Sequence, residues 1–171
     1  MLDNRNLYNE LDQDPSRTGN DPWGWPVLHG TLKKIQLWSD HLSYGPEPKP
    51  DDEIEQHLTI RGDGRVWLSR YHYGTEKRVL FEKRAFRIDA SAAKTIMDAF
   101  SEYFGSPHMN EMVTDCGSWE AWLTNDWGVR YKESGSLCDD IKVSAGGLSA
   151  IIRSALGMED LFVFDGGSEQ A

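Results

Sequence analysis

The sequence predicts an α+β fold in which an antiparallel sheet of about six strands carries two helices packed on one face. Three observations lead to this prediction. Short segments of alternating apolar residues follow one another, segments of helical apolar spacing come after them, and 171 residues suffice for one domain with a real core. We expect a single α+β domain over residues 27–167, preceded by an irregular arm (1–26) and followed by a tail (168–171).

The first predicted strand runs from Leu28 to Trp38, because β-branched and aromatic residues are enriched there. The arm before it is polar and broken by proline and glycine. After the strand, Pro46, Pro48 and Pro50 each lack a backbone N–H group, so the segment 45–53 is predicted to be a solvated connector.

The next strands form a hairpin that contains an Arg-Gly-Asp tripeptide. A three-residue loop over 62–64, with a left-handed glycine at its end, would place Ile60 opposite Val66 and Leu58 opposite Leu68. This register keeps one face apolar, whereas a two-residue loop would mix the faces. Turn chemistry therefore explains the tripeptide without an adhesion function.

A fourth strand is predicted from Val79 to Ile88, and a helix follows it. Asp89 or Ser91 would cap the helix, which would end at Phe104 because Gly105 and a proline come next. Helical spacing of its apolar residues indicates a core-facing side, which comprises Ala93, Ile96, Met97, Phe100, Tyr103 and Phe104.

The second half of the sequence predicts a hairpin of strands 119–124 and 129–133 and, as the third strand of this half, the segment 137–143. A short helix is predicted from Leu148 and ends at Gly157. The closing segment 160–166 would be a short apolar strand or a plug that seals the core. Its two phenylalanines supply the apolar surface for either role.

The two cysteines, Cys116 and Cys138, are too few for a disulfide framework and lack a zinc or redox spacing. We expect both to be reduced, half-buried thiols. No apolar run is long enough for a membrane span, and the N-terminus lacks the features of a signal peptide. The sequence therefore predicts a cytoplasmic protein without a membrane partner.

Charge is unevenly distributed along the chain, whose net charge is −10. Residues 1–59 carry 5 basic and 11 acidic side chains, residues 60–89 carry 8 and 4, and residues 90–171 carry 5 and 13. A largely acidic surface disfavours direct binding to nucleic acid and favours a basic protein as partner. The acidic residues that we expect to bind such a partner are Asp126, Glu133, Asp139 and Asp140.

Catalytic signatures are missing from the sequence. It contains no phosphate-binding loop, dinucleotide fingerprint, nucleophile elbow or paired-histidine zinc motif. The five histidines are scattered, so a metal site would require tertiary coincidence. We therefore expect a protein that is not an enzyme and that uses no metal and no cofactor.

An alternative binding face comes from the predicted hairpin. Its register places basic and aromatic residues of the segment 57–73 on the face opposite the apolar one. Such a face could stack bases or bind a protein partner, or it could pack beneath the N-terminal arm. The residues assigned to this alternative face are Arg61, Arg65, Trp67, Tyr71 and, from the following strand, Arg84.

Three segments resemble an uncharacterised family of small single-domain proteins of Gram-positive anaerobic bacteria and their mobile elements. They are Leu-Thr-Ile-Arg-Gly-Asp-Gly-Arg-Val-Trp (58–67), Thr-Asp-Cys-Gly-Ser-Trp (114–119) and Leu-Phe-Val-Phe-Asp-Gly (161–166). The resemblance spans residues 54–166 and implies a bacterial accessory protein, without catalytic residues to carry over.

These observations lead to two functional predictions. The first is a non-catalytic protein-binding accessory protein, in its specific form an anti-defence inhibitor, similar in type to anti-CRISPR proteins, whose acidic surface blocks a basic nucleic-acid-binding partner. The second is a nucleic-acid-binding or nucleotide-binding module that uses the basic aromatic hairpin 57–73.

Overall fold

The computed structural model describes residues 27–42, 47–74 and 78–167. The predicted N-terminal arm and the C-terminal tail lie outside the described residues. Within these ranges the elements are β1 (Leu32–Asp40), β2 (Glu53–Arg61), β3 (Arg65–Tyr73), β4 (Arg78–Arg87), α1 (Ala90–Phe104), β5 (Ser118–Asn125), β6 (Arg130–Ser136), β7 (Lys142–Val143), β8 (Gly146–Gly147) and α2 (Leu148–Leu156).

Six strands form one antiparallel sheet in the order β4-β3-β2-β1-β5-β6. The first four strands are neighbours in sequence and in space. After α1 the chain returns to pair β5 with β1, so β1 lies inside the sheet between strands from both halves of the chain. The α+β architecture predicted from the sequence is confirmed. In the described part of the chain, neither helix is long and apolar enough to cross a membrane.

The β2–β3 hairpin has the predicted register. Ile60 pairs with Val66 and Leu58 with Leu68, across a loop of three residues. Gly64 adopts a φ of +89°, the left-handed region in which glycine is unstrained. The turn chemistry of the sequence therefore fixes which side chains of both strands face the core.

Helix α1 begins as its sequence predicts. The Asp89 carboxylate accepts a hydrogen bond of 2.7 Å from the backbone N–H of Ala92, which satisfies one of the unpaired donors of the first turn. The helix ends at Phe104 and Gly105 caps it. Its buried side packs on the sheet through residues that include Ile96 and Phe100, both fully buried.

The closing segment of the chain is a plug rather than a strand. Phe164 is fully buried, and its ring lies 4.9 Å from that of Trp119 in an edge-to-face contact. Residues 163–166 form turns, and Arg153 of α2 donates two hydrogen bonds to the carbonyl of Leu161. The plug thus closes the core between α2 and the sheet.

The third strand predicted at 137–143 is wrong in extent. Only Lys142 and Val143 are in strand conformation, paired with the two glycines of β8. Before them, Leu137 donates its N–H to the carbonyl of Gly117, which extends the β5–β6 register by one pair before the ladder ends. The segment is therefore mostly a loop, anchored to residues 106–117, the strap that precedes β5.

The prediction of two reduced thiols is also wrong. Cys116 and Cys138 form a disulfide whose Cα atoms are 5.9 Å apart, and no other cysteine is present. The sequence separation of 22 residues carries no local signal. The pairing arises because β5 and β6 are neighbours, which brings the residue before β5 beside the loop after β6.

Candidate ligand-binding face

The two faces of the six-stranded sheet differ in what covers them. One face packs against α1, α2 and the plug. No described helix or strand packs on the other, which we call the open face. The alternation of the strands places on it Lys34, Gln36, Trp38, Asp40, Glu55, His57, Thr59, Arg61, Arg65, Trp67, Ser69, Tyr71, Tyr73, Arg78, Leu80, Lys83, Ala85, Arg87, Ser118, Glu120, Trp122, Thr124, Arg130, Lys132 and Ser134.

Cations line one end of the open face in a single row across the sheet. Lys34 of β1 pairs with Arg61 of β2 and with Thr124 of β5, which in turn pairs with Arg130 of β6. Beyond the β2–β3 turn the row continues in one further pair, Arg65 and Arg87. Every position of this basic row except Thr124 therefore carries a positive charge, over roughly 24 Å of sheet at the usual strand spacing.

The cations of the basic row influence one another electrostatically. Partial burial lowers the pKa of Lys34, and the neighbouring guanidinium groups of Arg130 and Arg61 lower it further. The lowered pKa means that the charged form of Lys34 is disfavoured at this position. A bound anion would offset the repulsion among the three cations. This end of the open face is therefore electrostatically suited to an anionic ligand.

One carboxylate is built into the basic row. Asp63, in the β2–β3 turn, accepts a 2.9 Å hydrogen bond from the Nε atom of Arg65 and one of 3.1 Å from its backbone N–H. The side-chain hydrogen bond, more than the backbone one, lowers the pKa of Asp63 to about 2. Arg65 is thus paired with Asp63, whereas the Nε atom of Arg61 lies 4.0 Å from the same carboxylate.

Aromatic side chains occupy the centre of the open face. The rings of Trp38 and His57 stack at 4.1 Å with an interplanar angle of 9°, and Trp122 meets Trp38 at 4.9 Å. His57 also lies 4.7 Å from the ring of Tyr71. The Trp38 ring, although 44% exposed, is therefore flanked by other rings.

Trp67 differs from the other rings of the open face. Within the described residues it contacts no other aromatic ring, and 37% of its surface is exposed. The guanidinium carbon of Arg65 lies 5.8 Å from its ring centroid, and the opposite strand contributes the small residue Ala85. Trp67 is thus an exposed ring beside the basic row.

The other end of the open face carries carboxylates that the protein itself neutralises. Glu55 is buried and contacts both His57 and Arg78. Arg78 also pairs with Asp40. Because these groups compensate one another, the net positive charge of the open face is concentrated at the basic row.

The residues predicted for the alternative binding face divide between the two sides of the sheet. Arg61, Arg65, Trp67 and Tyr71 lie together on the open face. Arg84 lies on the side of the helices, where its guanidinium group is 5.4 Å from the centroid of Phe86. The structure therefore separates Arg84 from the rest of that predicted site.

The acidic residues predicted to bind a partner are not brought together as one surface. The Glu133 side chain is 12% exposed and accepts hydrogen bonds from Asn110 and His108. The Asp126 carboxylate accepts a hydrogen bond from the backbone N–H of Thr31, and the Asp140 carboxylate accepts hydrogen bonds from those of Ile141 and Ser149. Asp139 remains exposed at the edge of a small cavity.

That cavity lies on the side of the helices and has a volume of about 260 Å³. Its walls include Tyr103, Asn110, Trp119 and Lys142. Burial raises the pKa of Tyr103, and the nearby charge of Glu133 raises it further. None of the buried side-chain atoms that lack a hydrogen-bond partner in the described residues belongs to the walls of this cavity.

Several residues of the open face were not predicted from the sequence, and they include Lys34, Trp38, Arg87 and Arg130. The alternation within each strand could have assigned each of them to a face. Their assembly into one row depends on β1 pairing with both β2 and β5. Across the described segments, no group of three or more histidine, cysteine, aspartate or glutamate side chains could hold a metal ion.

The fold and the site define a class of protein: a two-layer α+β domain with one helix-covered sheet face and one open face that combines a basic row with exposed aromatic rings. Comparisons with protein-family models, with curated proteins and with solved structures give no match to this chain.

Proposed function

We propose that the protein is a non-catalytic binding protein that holds single-stranded nucleic acid on the open face. The phosphates would lie along the basic row, and an unpaired base would stack on Trp67. The observation that supports this proposal is the basic row. Five strands each contribute one cation to it, at one end of the sheet, and the exposed Trp67 lies in the next row of residues.

The basic row supports phosphate binding through its charge. Backbone phosphates are held mainly by lysine and arginine, with release of condensed counterions. Burial lowers the pKa of Lys34, and the repulsion from Arg130 and Arg61 lowers it further, so these three cations lie close together. A phosphate between them would replace repulsion by attraction.

The exposed ring of Trp67 favours single-stranded nucleic acid over a duplex as the ligand. Base stacking on an aromatic ring requires a base that is not paired within a double helix. Trp67 is the tryptophan of the open face that no other described ring contacts, whereas Trp38 is flanked by His57 and Trp122. Trp67 is therefore the stacking residue of the proposal.

The net charge of −10 does not prevent this binding. Charges separated by more than about 8 Å in physiological salt are largely screened, so the local field at the basic row decides. The sheet separates this row from acidic groups of the helix side, such as Asp98 and Glu102. We therefore place nucleic-acid binding ahead of the protein-binding hypothesis.

Fluorescence anisotropy of the full chain with labelled oligothymidylate tests the proposal. Arg61→Ala should reduce the slope of log affinity against log salt by about 0.7, the value of one phosphate contact on a single strand. Trp67→Leu should weaken binding by about 1–3 kcal/mol through lost stacking. The matched controls are Arg84→Ala, an equally exposed arginine of the helix side, and Trp127→Leu, an exposed tryptophan of the β5–β6 turn.

Two results would contradict the proposal. The first is the same affinity for the Arg61 and Trp67 variants as for their controls. The second is equally tight binding of a duplex of the same length, because a duplex cannot offer an unpaired base to Trp67.

The protein-binding inhibitor hypothesis stays a prediction and ranks second. Glu133, Asp126 and Asp140 already serve internal hydrogen bonds, so their carboxylates are less available to a partner. Reversing the charges of Glu133, Asp139 and Asp140 should still weaken capture of a basic protein if that hypothesis holds. The resemblance to the family of bacterial accessory proteins likewise remains a proposal.

The cytoplasmic location is also a prediction only. The disulfide between Cys116 and Cys138 counts against it, because cytosolic proteins rarely keep disulfides. Thiol labelling of the protein in intact cells, with and without prior reduction, measures which state is present.

A further inference from the structure

The two edges of the six-stranded sheet are protected differently. At the β6 edge, the N–H of Ser136 donates to the carbonyl of Glu111, and the Ser136 hydroxyl accepts from the N–H of Val113. At the opposite edge, no described segment pairs with the outer side of β4. The ten residues of β4 thus present a strand edge to solvent.

The exposed edge has two chemically distinct halves. Val79, Leu80 and Phe81 are apolar and 36%, 49% and 48% exposed. The second half carries three cations, Lys83, Arg84 and Arg87, all exposed. A partner strand that matched this edge would carry apolar residues against the first half and acidic residues against the second.

A second copy of the chain is a poor match for this edge. Antiparallel pairing of two β4 strands over their full length would set Arg78 of one copy against Arg87 of the other at both ends. Like charges directly opposite one another destabilise a strand pair. The arginines at the two ends therefore act against self-association, whereas Lys83 would meet Glu82 at the centre of such a pair.

We propose that β4 binds an extended acidic segment of a partner protein by strand addition. Main-chain hydrogen bonds to the free edge would supply affinity, and the charges of Lys83, Arg84 and Arg87 would supply specificity. This interaction is distinct from the proposed nucleic-acid binding, because it uses the sheet edge and includes Arg84, which lies away from the open face; Arg87 is common to both surfaces.

The test uses the full chain and a synthetic probe, an acetylated peptide of the sequence Glu-Thr-Glu-Thr-Glu-Val-Thr-Val-Ile-Val. In antiparallel pairing, its acidic half meets Lys83–Arg87 and its apolar half meets Val79–Phe81. We expect amide chemical-shift changes and slowed hydrogen exchange confined to β4. Lys83→Glu should weaken binding about tenfold, because Lys83 lies opposite a glutamate of the peptide, whereas Lys94→Glu, a charge reversal on the exposed side of α1, should not.

Three outcomes would overturn the proposal. Equal weakening of peptide binding by both charge reversals would indicate a general charge effect. Slow hydrogen exchange of the β4 amides in the free chain at low concentration would assign the edge to the chain's own residues. Protection that appears only as the protein concentration rises, together with dimers in sedimentation, would assign the edge to a second copy.

Discussion

Arg65 and Arg61 flank the same turn but differ in what holds them. The Asp63 carboxylate accepts hydrogen bonds from the guanidinium group and from the backbone N–H of Arg65. The distance from this carboxylate to Arg61, in contrast, is at the limit of an ion pair. Arg78 is similarly occupied by Asp40 and Glu55. At the scale of single residues, these pairings decide which cations remain available to a ligand.

The pKa of Asp63 provides a direct measurement of the turn. The hydrogen bond from the Arg65 side chain lowers this pKa from 3.8 to about 2. Because the folded pKa is lowered, the pair stabilises the fold above the unfolded pKa, and this contribution is lost as the pH falls towards about 2. An NMR titration of the Asp63 carboxyl carbon should show this midpoint, and Arg65→Ala should raise it.

A midpoint near 3.8 in the unmodified protein would show that Arg65 is not held by Asp63. The guanidinium group would then be free to bind a ligand, and Arg65 would join Arg61 as a contact of the basic row.

At the scale of the elements, the disulfide connects two segments that have little regular structure. Residues 106–117 form a strap along the β6 edge, and residues 137–141 form the loop after β6. Cys116 and Cys138 join them beside the hydrogen bond from Leu137 to Gly117. The covalent link therefore holds the strap that covers this sheet edge.

Loss of the disulfide should lower the free energy of unfolding by about 3 kcal/mol, because a cross-link over 22 residues restricts the unfolded chain. The double substitution Cys116→Ser and Cys138→Ser provides the test, with chemical denaturation as the measurement. The unmodified protein in reductant is the control and should match the double variant. An unchanged denaturation midpoint in both samples would show that the link is absent or without effect.

At the scale of the whole molecule, Arg153 connects α2 to the plug that closes the core. Its side chain is nearly buried, donates to the carbonyl of Leu161, and pairs with Asp165. Burial raises the pKa of Asp165, but the hydrogen bonds from Arg153 and from the backbone of Gly167 lower it more. One guanidinium group thus compensates a carbonyl and a carboxylate at the end of the chain.

Arg153→Met should lower the free energy of unfolding by about 3 kcal/mol, because it leaves the partly buried Asp165 carboxylate without its counter-ion. The matched control is Lys94→Met, which removes an exposed ion pair with Asp98 and should cost less than about 0.5 kcal/mol. Thermal or chemical unfolding of both variants measures the difference. Equal costs would show that the Arg153 pair behaves like a surface ion pair.

Much of the fold could be predicted from local sequence, because the signals involved act over a few residues. Gly64 and the alternation around it set the hairpin register, and Asp89 and Gly105 set the ends of α1. The wrong prediction at 137–143 has a tertiary cause. There the β5–β6 register ends with the hydrogen bond from Leu137 to Gly117 and the disulfide, and the Asp140 carboxylate then accepts hydrogen bonds from the N–H groups of Ile141 and Ser149, which holds the segment as a loop.

The sequence by itself determined the α+β class, the positions of both helices and the two faces of the β2–β3 hairpin. Those properties depend on the periods of helix and strand, which are local. Only the tertiary structure decided that Lys34, Arg61 and Arg130 form one row and that the two cysteines pair. These groups are far apart in sequence, and they meet because β1 pairs on one side with β2 and on the other with β5, an order that no local pattern encodes.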